Sequence, residues 1–269
     1  MTLAVVTDST ACLPPALAQE AGITVVQVPV HDGTSSRPAV AALQEAYQEA
    51  LQHADEVLAV HLASALSGTV DNARLAAAAL GEDANRLLVL DSGSSGAGLG
   101  FAALAATAAT SARQARALAR ESAARSTVLL LAGDLGRLSQ GGRLDRGTAR
   151  MGCTLGVRPI LQVTGEGIRA VESVRGAARA RRHLLARALR AAGVPDGRPH
   201  PPAVPVRVAV HHSDAEADAV ALLAEFEAAL AEGGAEVATS WCASVDAATA
   251  VHVGAGTLGI VVAPVVGKC

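Results

Sequence analysis

Four clusters of hydroxyl-bearing residues punctuate the first hundred positions: Thr7-Asp8-Ser9-Thr10, Thr34-Ser35-Ser36, Ser64 to Thr69, and Asp91 to Ser95. Hydroxyls beside glycines and open backbone N–H groups can hold a carboxylate or a phosphate. A single serine ahead of a helix is more often its cap, and Ser67-Gly68-Thr69 fits that plainer reading as well. Four such clusters in succession place a shared anion or carboxylate pocket level with capping. A second candidate lies near the other end, in "VHVGAGTLG" (Val251–Gly259). His252 directly before a glycine-rich turn admits three chemistries: a phosphate loop, a catalytic base, or a polar clamp at the mouth of an apolar pocket. Gly254 and Gly256 let the backbone approach a neighbour closely.

Pairing Ser64 or Ser67 with His252 gives a serine-type esterase or hydrolase as the alternative function. Asp8 or Asp91 could orient the imidazole, although nothing in the sequence requires it. No Gly-x-Ser-x-Gly elbow surrounds either serine, which counts against the hydrolase. "GAGLG" (Gly96–Gly100) resembles a dinucleotide loop superficially, but Phe101 stands where the third glycine would fall, so close helix packing is the better reading. In "VHHSD", His211 and His212 are neighbours on a predicted strand and face opposite ways, so at most one joins any site. No metal site is expected. Cys12, Cys153, Cys242 and Cys269 are scattered, with no Cys-x-x-Cys pair and no disulfide framework.

The bulk composition narrows the classes. The chain has 269 residues, 51% hydrophobic and 17% charged, with a formal net charge of −3. This is a globular balance with no electrostatic case for nucleic acid. Lys268 is the only lysine, badly placed for a Walker-type loop or a Schiff base. Tyr47, Phe101, Phe226 and Trp241 are the aromatic residues, so any pocket is lined mainly by Leu, Val, Ile and Ala. The opening "MTLAVVTDST" does not read as a signal peptide, and no apolar run reads as a membrane span. The expected location is the cytoplasm.

Elements that would position these residues follow from the apolar pattern. Leu3–Thr7, Ile23–Val30, Glu56–Leu62, Arg86–Asp91 and Thr127–Gly133 read as buried strands. Pro14–Ala21, Val40–His53, Thr69–Leu80 and Gly98–Arg125 read as helices, the last broken near Ser111. The alternation predicts an α/β fold with a largely parallel sheet covered by helices on both faces. The hydroxyl clusters then fall at the carboxyl ends of its strands, where such sheets bind ligands. After "LSQGGRLDRG" the texture changes. Arg158–Val174 predicts an antiparallel pair around Gly-Glu-Gly, then a basic helix over Arg175–Ala192 and a Pro/Gly-rich loop, Gly193–Pro205. Strand "VRVAVHH", helix Ala215–Ala231 and strand "EVATSW" complete a second α/β unit with a mixed sheet. The division expected is 1–150 and 151–269, the latter contributing His252.

Block by block, the chain resembles the DegV family, the fatty-acid-binding subunits of bacterial fatty acid kinases. "VTDSTACLP" is similar to the family's Val-Thr-Asp-Ser-Thr-Ala-Asp-Leu-Pro, with Cys12 in place of an acid. "LASALSGT" resembles Ser-Ser-x-Leu-Ser-Gly-Thr, with Ala63 for the first serine. "LDSGSSGAGLG", "GRLSQGGRL", "GVRPIL" and "ESVRG" match later blocks in order. "VHVGAGTLG" resembles Thr-His-x-Gly-Pro-Gly-x-x-Gly, with Ala255 for the usual proline. Between Val30 and Thr34 there is only "HDG", where relatives carry a longer segment.

The resemblance implies a lipid-binding carrier that is not itself an enzyme and uses no cofactor. A long-chain fatty acid lies in an apolar tunnel, and Ser/His hydrogen bonds hold its carboxylate. A separate kinase subunit then forms the acyl phosphate for phospholipid synthesis. By motif the head-group residues are Ser35, Ser36, Ser64, Ser67, Thr69 and His252, with Arg158 near the same mouth. Arg175, Arg179, Arg181 and Arg182 lie on the basic helix, read first as a solvated face and alternatively as a partner-docking surface. Peripheral or transient contact with a membrane is compatible with such a role. The energetics agree. A tail of about 14 methylenes at roughly 0.8 kcal/mol each gives at most ~11 kcal/mol before ordering costs. Hydrogen bonds to a charged head group contribute about 1.5–3 kcal/mol each and offset its burial.

Overall fold

The computed structural model describes residues 2–144, 147–148, 156–194 and 204–267. Most of the loop expected over Gly193–Pro205, together with Cys153, Lys268 and Cys269, lies outside the described residues. The chain divides into two compact units. One comprises Met1–Arg125, Asp246–Ala248 and Val266–Cys269, the other Ser126–Val245 and Thr249–Val265.

The first unit is built on a four-stranded sheet, β1 (Leu3–Asp8), β2 (Ile23–Val26), β5 (Glu56–His61) and β6 (Leu87–Asp91), in the order β2-β1-β5-β6. All its pairings are parallel, so the four carboxyl ends share one edge. Alternate residues face opposite ways and each face has its own core. Leu58, Val60 and Val5 pack under α4 (Ala97–Ala106) and α5 (Ala112–Arg125) through Leu99, Ala102, Ala106, Ala115 and Ala119. Val6, Val57 and Ala59 pack under α2 (Val40–His53) and α3 (Thr69–Ala78) through Leu43, Tyr47, Leu51, Ala73 and Ala76. Small side chains let α4 and α5 pack closely. Gly100 serves the same end: a Cβ there would meet the Ala11 carbonyl oxygen at 2.8 Å, so "GAGLG" is a helix-packing segment. A short helix, α1 (Pro15–Glu20), and a hairpin of β3 (Val30–His31) and β4 (Thr34–Ser35) complete the unit.

Strand β2 stops four residues earlier than the apolar run predicts. Val28 donates its N–H to Ser9 Oγ (3.0 Å) instead of to a ladder, and Pro29 has no N–H to give. The break near Ser111 is present, between α4 and α5.

The second unit holds a six-stranded mixed sheet in the order β11-β10-β12-β7-β8-β9. Its strands are β7 (Thr127–Leu131), β8 (Val157–Thr164), β9 (Gly167–Arg175), β10 (Val206–Ser213), β11 (Val237–Ser244) and β12 (Thr257–Pro264). Helices α7 (Ala177–Ala191) and α8 (Glu216–Glu232) cover the face carrying Leu129, Ile160, Val208, Val210 and Ile260. Two further helices are α6 (Leu135–Gln140) and α9 (Ala247–Val253). The expected antiparallel β8–β9 pair is there, turning at Gly165–Glu166. Strand β7 corrects the sequence reading, which grouped it with the parallel N-terminal strands. It pairs antiparallel with β12 and β8, because a buried apolar run of five residues says nothing of its own partners.

Candidate functional site

In the four-stranded sheet, β1 leads to β2 on one side and β5 to β6 on the other, so the strand order switches direction between β1 and β5. Crevices in open parallel sheets form at such a switch point, outside the carboxyl ends. Asp8 is the last residue of β1 and His61 the last of β5, and both are fully buried. His61 Nδ1 lies 2.9 Å from Asp8 Oδ2, and His61 Nε2 lies 2.8 Å from the Tyr47 hydroxyl. Asp8 Oδ2 also accepts the Leu62 N–H (3.1 Å), while Oδ1 accepts the Thr10 N–H (3.2 Å) and the Thr10 hydroxyl. The carboxylate therefore ties the turn after β1 to the loop after β5. Burial pushes the Tyr47 hydroxyl well above its ordinary range, with the Asp8 charge adding to it. The Asp8 carboxylate can only accept, so Nδ1–H donates to it, and Nε2 shares a hydrogen bond with the Tyr47 hydroxyl.

Around this buried centre stand the hydroxyl residues expected at a head-group site. Ser64 is exposed, and its N–H is held by both Asp91 oxygens (3.2 and 3.3 Å). Asp91 also accepts from Gly93 N (2.9 Å), so the β5 and β6 loops are joined. Ser67 is half-buried. Its Oγ accepts from Thr69 N (3.3 Å) and lies 2.9 Å from Thr69 Oγ1, which is itself fully buried at the start of α3. Ser35 is half-buried on β4, and Ser36 is exposed with its N–H donated to Pro29 (3.0 Å). The "HDG" segment closes this hairpin as a two-residue turn, with Asp32 at φ 49° and Gly33 at φ 71°. The hairpin segment and the α3 turn meet: Asn72 Nδ2 donates to Pro38 O (2.8 Å), and the exposed Arg37 guanidinium lies over Gly68.

In the second unit, the glycine-rich turn resolves into backbone packing. His252 is half-buried in the last turn of α9. Gly254 (φ 77°) then reverses the chain and presses on Asp134, whose N–H donates to Val253 O (3.0 Å). A Cβ at Gly133 would stand 1.9 Å from the Ala255 oxygen. Gly254 N donates to Ala250 O and Gly256 N to Ser213 O (2.7 Å), while Gly133 N donates to Thr257 Oγ1 (2.9 Å). Gly254 N and Gly256 N, so engaged, are not available to cradle a phosphate. Arg158 is exposed on β8, opposite Val174. His211 and His212 do point to opposite faces of β10. Burial lowers the pKa of His211 to about 4, and its Nδ1 lies 3.2 Å from the Ala243 carbonyl oxygen. Among the described residues no three His, Cys, Asp or Glu side chains converge as metal ligands would, and no helix is long and apolar enough to cross a membrane.

Sequence reasoning missed Tyr47 and His61, and considered Asp8 only as one of two acids that could orient the His252 imidazole. The available signal was an acid and a histidine ending strands that prove to be neighbours, which only the strand order reveals.

The profile of the DegV family, described as uncharacterised proteins, matches residues 31–265. The chain belongs to the DegV family. A DegV domain-containing protein of Mycobacterium tuberculosis is 34% identical over 292 aligned positions, covering 97% of each chain. Among solved structures, the DegV family protein Cg2579 of Corynebacterium glutamicum superposes with a TM-score of 0.84 at 26% identity, covering 100% of this chain and 99% of that one. A DegV family protein of Thermus thermophilus, whose structure is named for its fatty acid binding, gives 0.81 at 26% identity, covering 98% of this chain and all of that one. The two-sheet α/β architecture described above is the DegV fold.

Proposed function

We propose that this chain is a cytoplasmic carrier that binds one long-chain fatty acid and presents its carboxylate to a separate kinase subunit, which forms the acyl phosphate. The observation that carries the reading is the shared fold with the Thermus protein, together with a hydroxyl-lined edge at the switch point of the parallel sheet. Ser35, Ser36, Ser64, Ser67 and Thr69, with His252 and Arg158, are the proposed head-group residues. Ser64 is the hydroxyl with the clearest access, since Asp91 holds its backbone while the side chain stands exposed. Thr69, being buried, would act through Ser67. Each hydrogen bond to the carboxylate supplies about 1.5–3 kcal/mol, enough in combination to offset its desolvation. The acyl tail supplies the affinity and the head group its orientation. Phosphoryl transfer is assigned to the partner, and this chain needs no cofactor for carriage.

Native mass spectrometry of the purified protein is the direct test. The expected result is co-purified fatty acid, or stoichiometric uptake of added palmitate. Preparations that stay empty and refuse added acids overturn the reading. Turnover of acyl esters that vanishes in His252→Ala would replace the carrier with the hydrolase.

A further inference from the structure

The Tyr47–His61–Asp8 chain has a cost that packing alone does not explain. Three polar side chains with no exposed surface sit in the core, where well-packed apolar groups are often no less stable. A fully satisfied network of this kind rigidifies the segments it joins. Here the geometry is specific. Asp8 spends both oxygens on the two strand-end loops, through Thr10 on one side and Leu62 N–H on the other. His61 passes the connection to α2, whose first residue, Val40, follows shortly after the Ser35–Ser36 segment. One network thus reaches the supports of both hydroxyl-bearing segments.

We propose that Asp8, His61 and Tyr47 are positioning residues that hold the Leu62–Gly68 loop, and with it Ser64 and Ser67, in the conformation that receives the ligand head group. This inference rests on the proposed fatty acid reading for its ligand, but its mechanical content stands apart from it. His61 Nδ1–H donates to Asp8, so the carboxylate is an acceptor on every side, for the imidazole and for the backbone of the loop. A leucine in place of His61 keeps the volume and severs the relay. A glutamine keeps an amide N–H for Asp8 and an oxygen for Tyr47.

The test compares His61→Leu and His61→Gln in the full chain. Two readouts are needed: affinity for the fluorescent fatty acid cis-parinaric acid, and amide hydrogen exchange over residues 62–68. In His61→Leu, affinity should fall by roughly tenfold, the scale set by one lost charge-assisted contact. Exchange over 62–68 should rise more than over the rest of the unit, and Tm should fall, because the buried Asp8 and Tyr47 each lose a partner. In His61→Gln both should return towards the parent protein. A purely structural role predicts a lower Tm for the leucine variant while affinity and exchange over 62–68, both read well below Tm, match the parent protein, and that result overturns the proposal. If the parent protein itself fails to bind cis-parinaric acid, the fatty acid reading falls while exchange over 62–68 still decides the network: loosening upholds it, and unchanged protection overturns it.

Discussion

The loops at the carboxyl edge of the four-stranded sheet and the turn after α9 are both small-residue segments beside strand ends, yet they are held by opposite means. At the sheet edge, acidic side chains grip backbone: Asp8 takes Thr10 and Leu62, and Asp91 takes Ser64 and Gly93. Serine hydroxyls are thereby displayed on a fixed scaffold. In the turn after α9 backbone packs mainly on backbone, with Gly133 against the Ala255 carbonyl and Gly254 N and Gly256 N bonded to carbonyls. The side chain that joins in is the Thr257 hydroxyl, an uncharged group. Each unit also buries a histidine at a strand: His61 lies against a carboxylate and a phenol, whereas His211, on β10, lies against a backbone carbonyl. Small residues beside a strand end therefore indicate close approach, and the partner atoms decide whether a ligand or the chain itself is approached.

The largest effect that sharpens this contrast is expected at Gly133. Gly133→Ala places a methyl group on the Ala255 backbone, which cannot swing aside, and should destabilise the fold by about 3 kcal/mol or more in urea titration. A loss under about 1 kcal/mol would show that the turn yields, and would remove the claim that backbone packing explains its glycines.

Next comes acid sensitivity. His211 is pushed down to about 4 by burial, against an ordinary value near 6.5. Above pH 6.5 neither folded nor unfolded chain binds the proton, and nothing is lost. Between about 6.5 and 4 only the unfolded chain does, so stability should fall by about 1.4 kcal/mol per pH unit relative to His211→Gln. Parallel curves for the two proteins would place a protonated His211 in the fold.

At the sheet edge the effects should be functional and smaller. Ser64→Ala should leave Tm unchanged, since the bonds from Asp91 go to its backbone, and should weaken fatty acid binding by roughly tenfold. Unaltered affinity would remove Ser64 from the head-group site. Gly68→Ala should matter least. Its methyl group would meet the far end of the Arg37 side chain, which can move, so a change within about 1 kcal/mol is expected from thermal unfolding.

Much of this architecture was legible in the residues. The strands from Leu3 and Glu56, the broken α4–α5 pair and the β8–β9 hairpin all follow from local periodicity and turn chemistry, which are short-range properties. The resemblance of ordered motifs supplied the family and the list of hydroxyls. Partnership between distant segments escaped. The apolar run of β7 looks the same beside a parallel or an antiparallel neighbour, and Tyr47 in α2 reads as a core residue of an amphipathic helix, which it also is. Its hydroxyl acquires a role only once β1 and β5 are known to be adjacent. Of the two glycines expected to mark a close approach, Gly254 does so against Asp134, whereas Gly256 faces open space and supplies only a positive φ. Gly133 and Asp134, more than a hundred positions upstream, could not be named from sequence.

The order of strands in the larger sheet also has a bearing on synthesis. Strand β12 is the last to be made, yet it lies in the interior of the sheet, between β10 and β7. As the chain leaves the ribosome, β7 can meet β8 on one flank, but its other flank, with Val128 and Leu130, stays open until Thr257–Pro264 emerge. An apolar strand edge left waiting that long is a site for chaperone engagement or for pairing with another nascent copy.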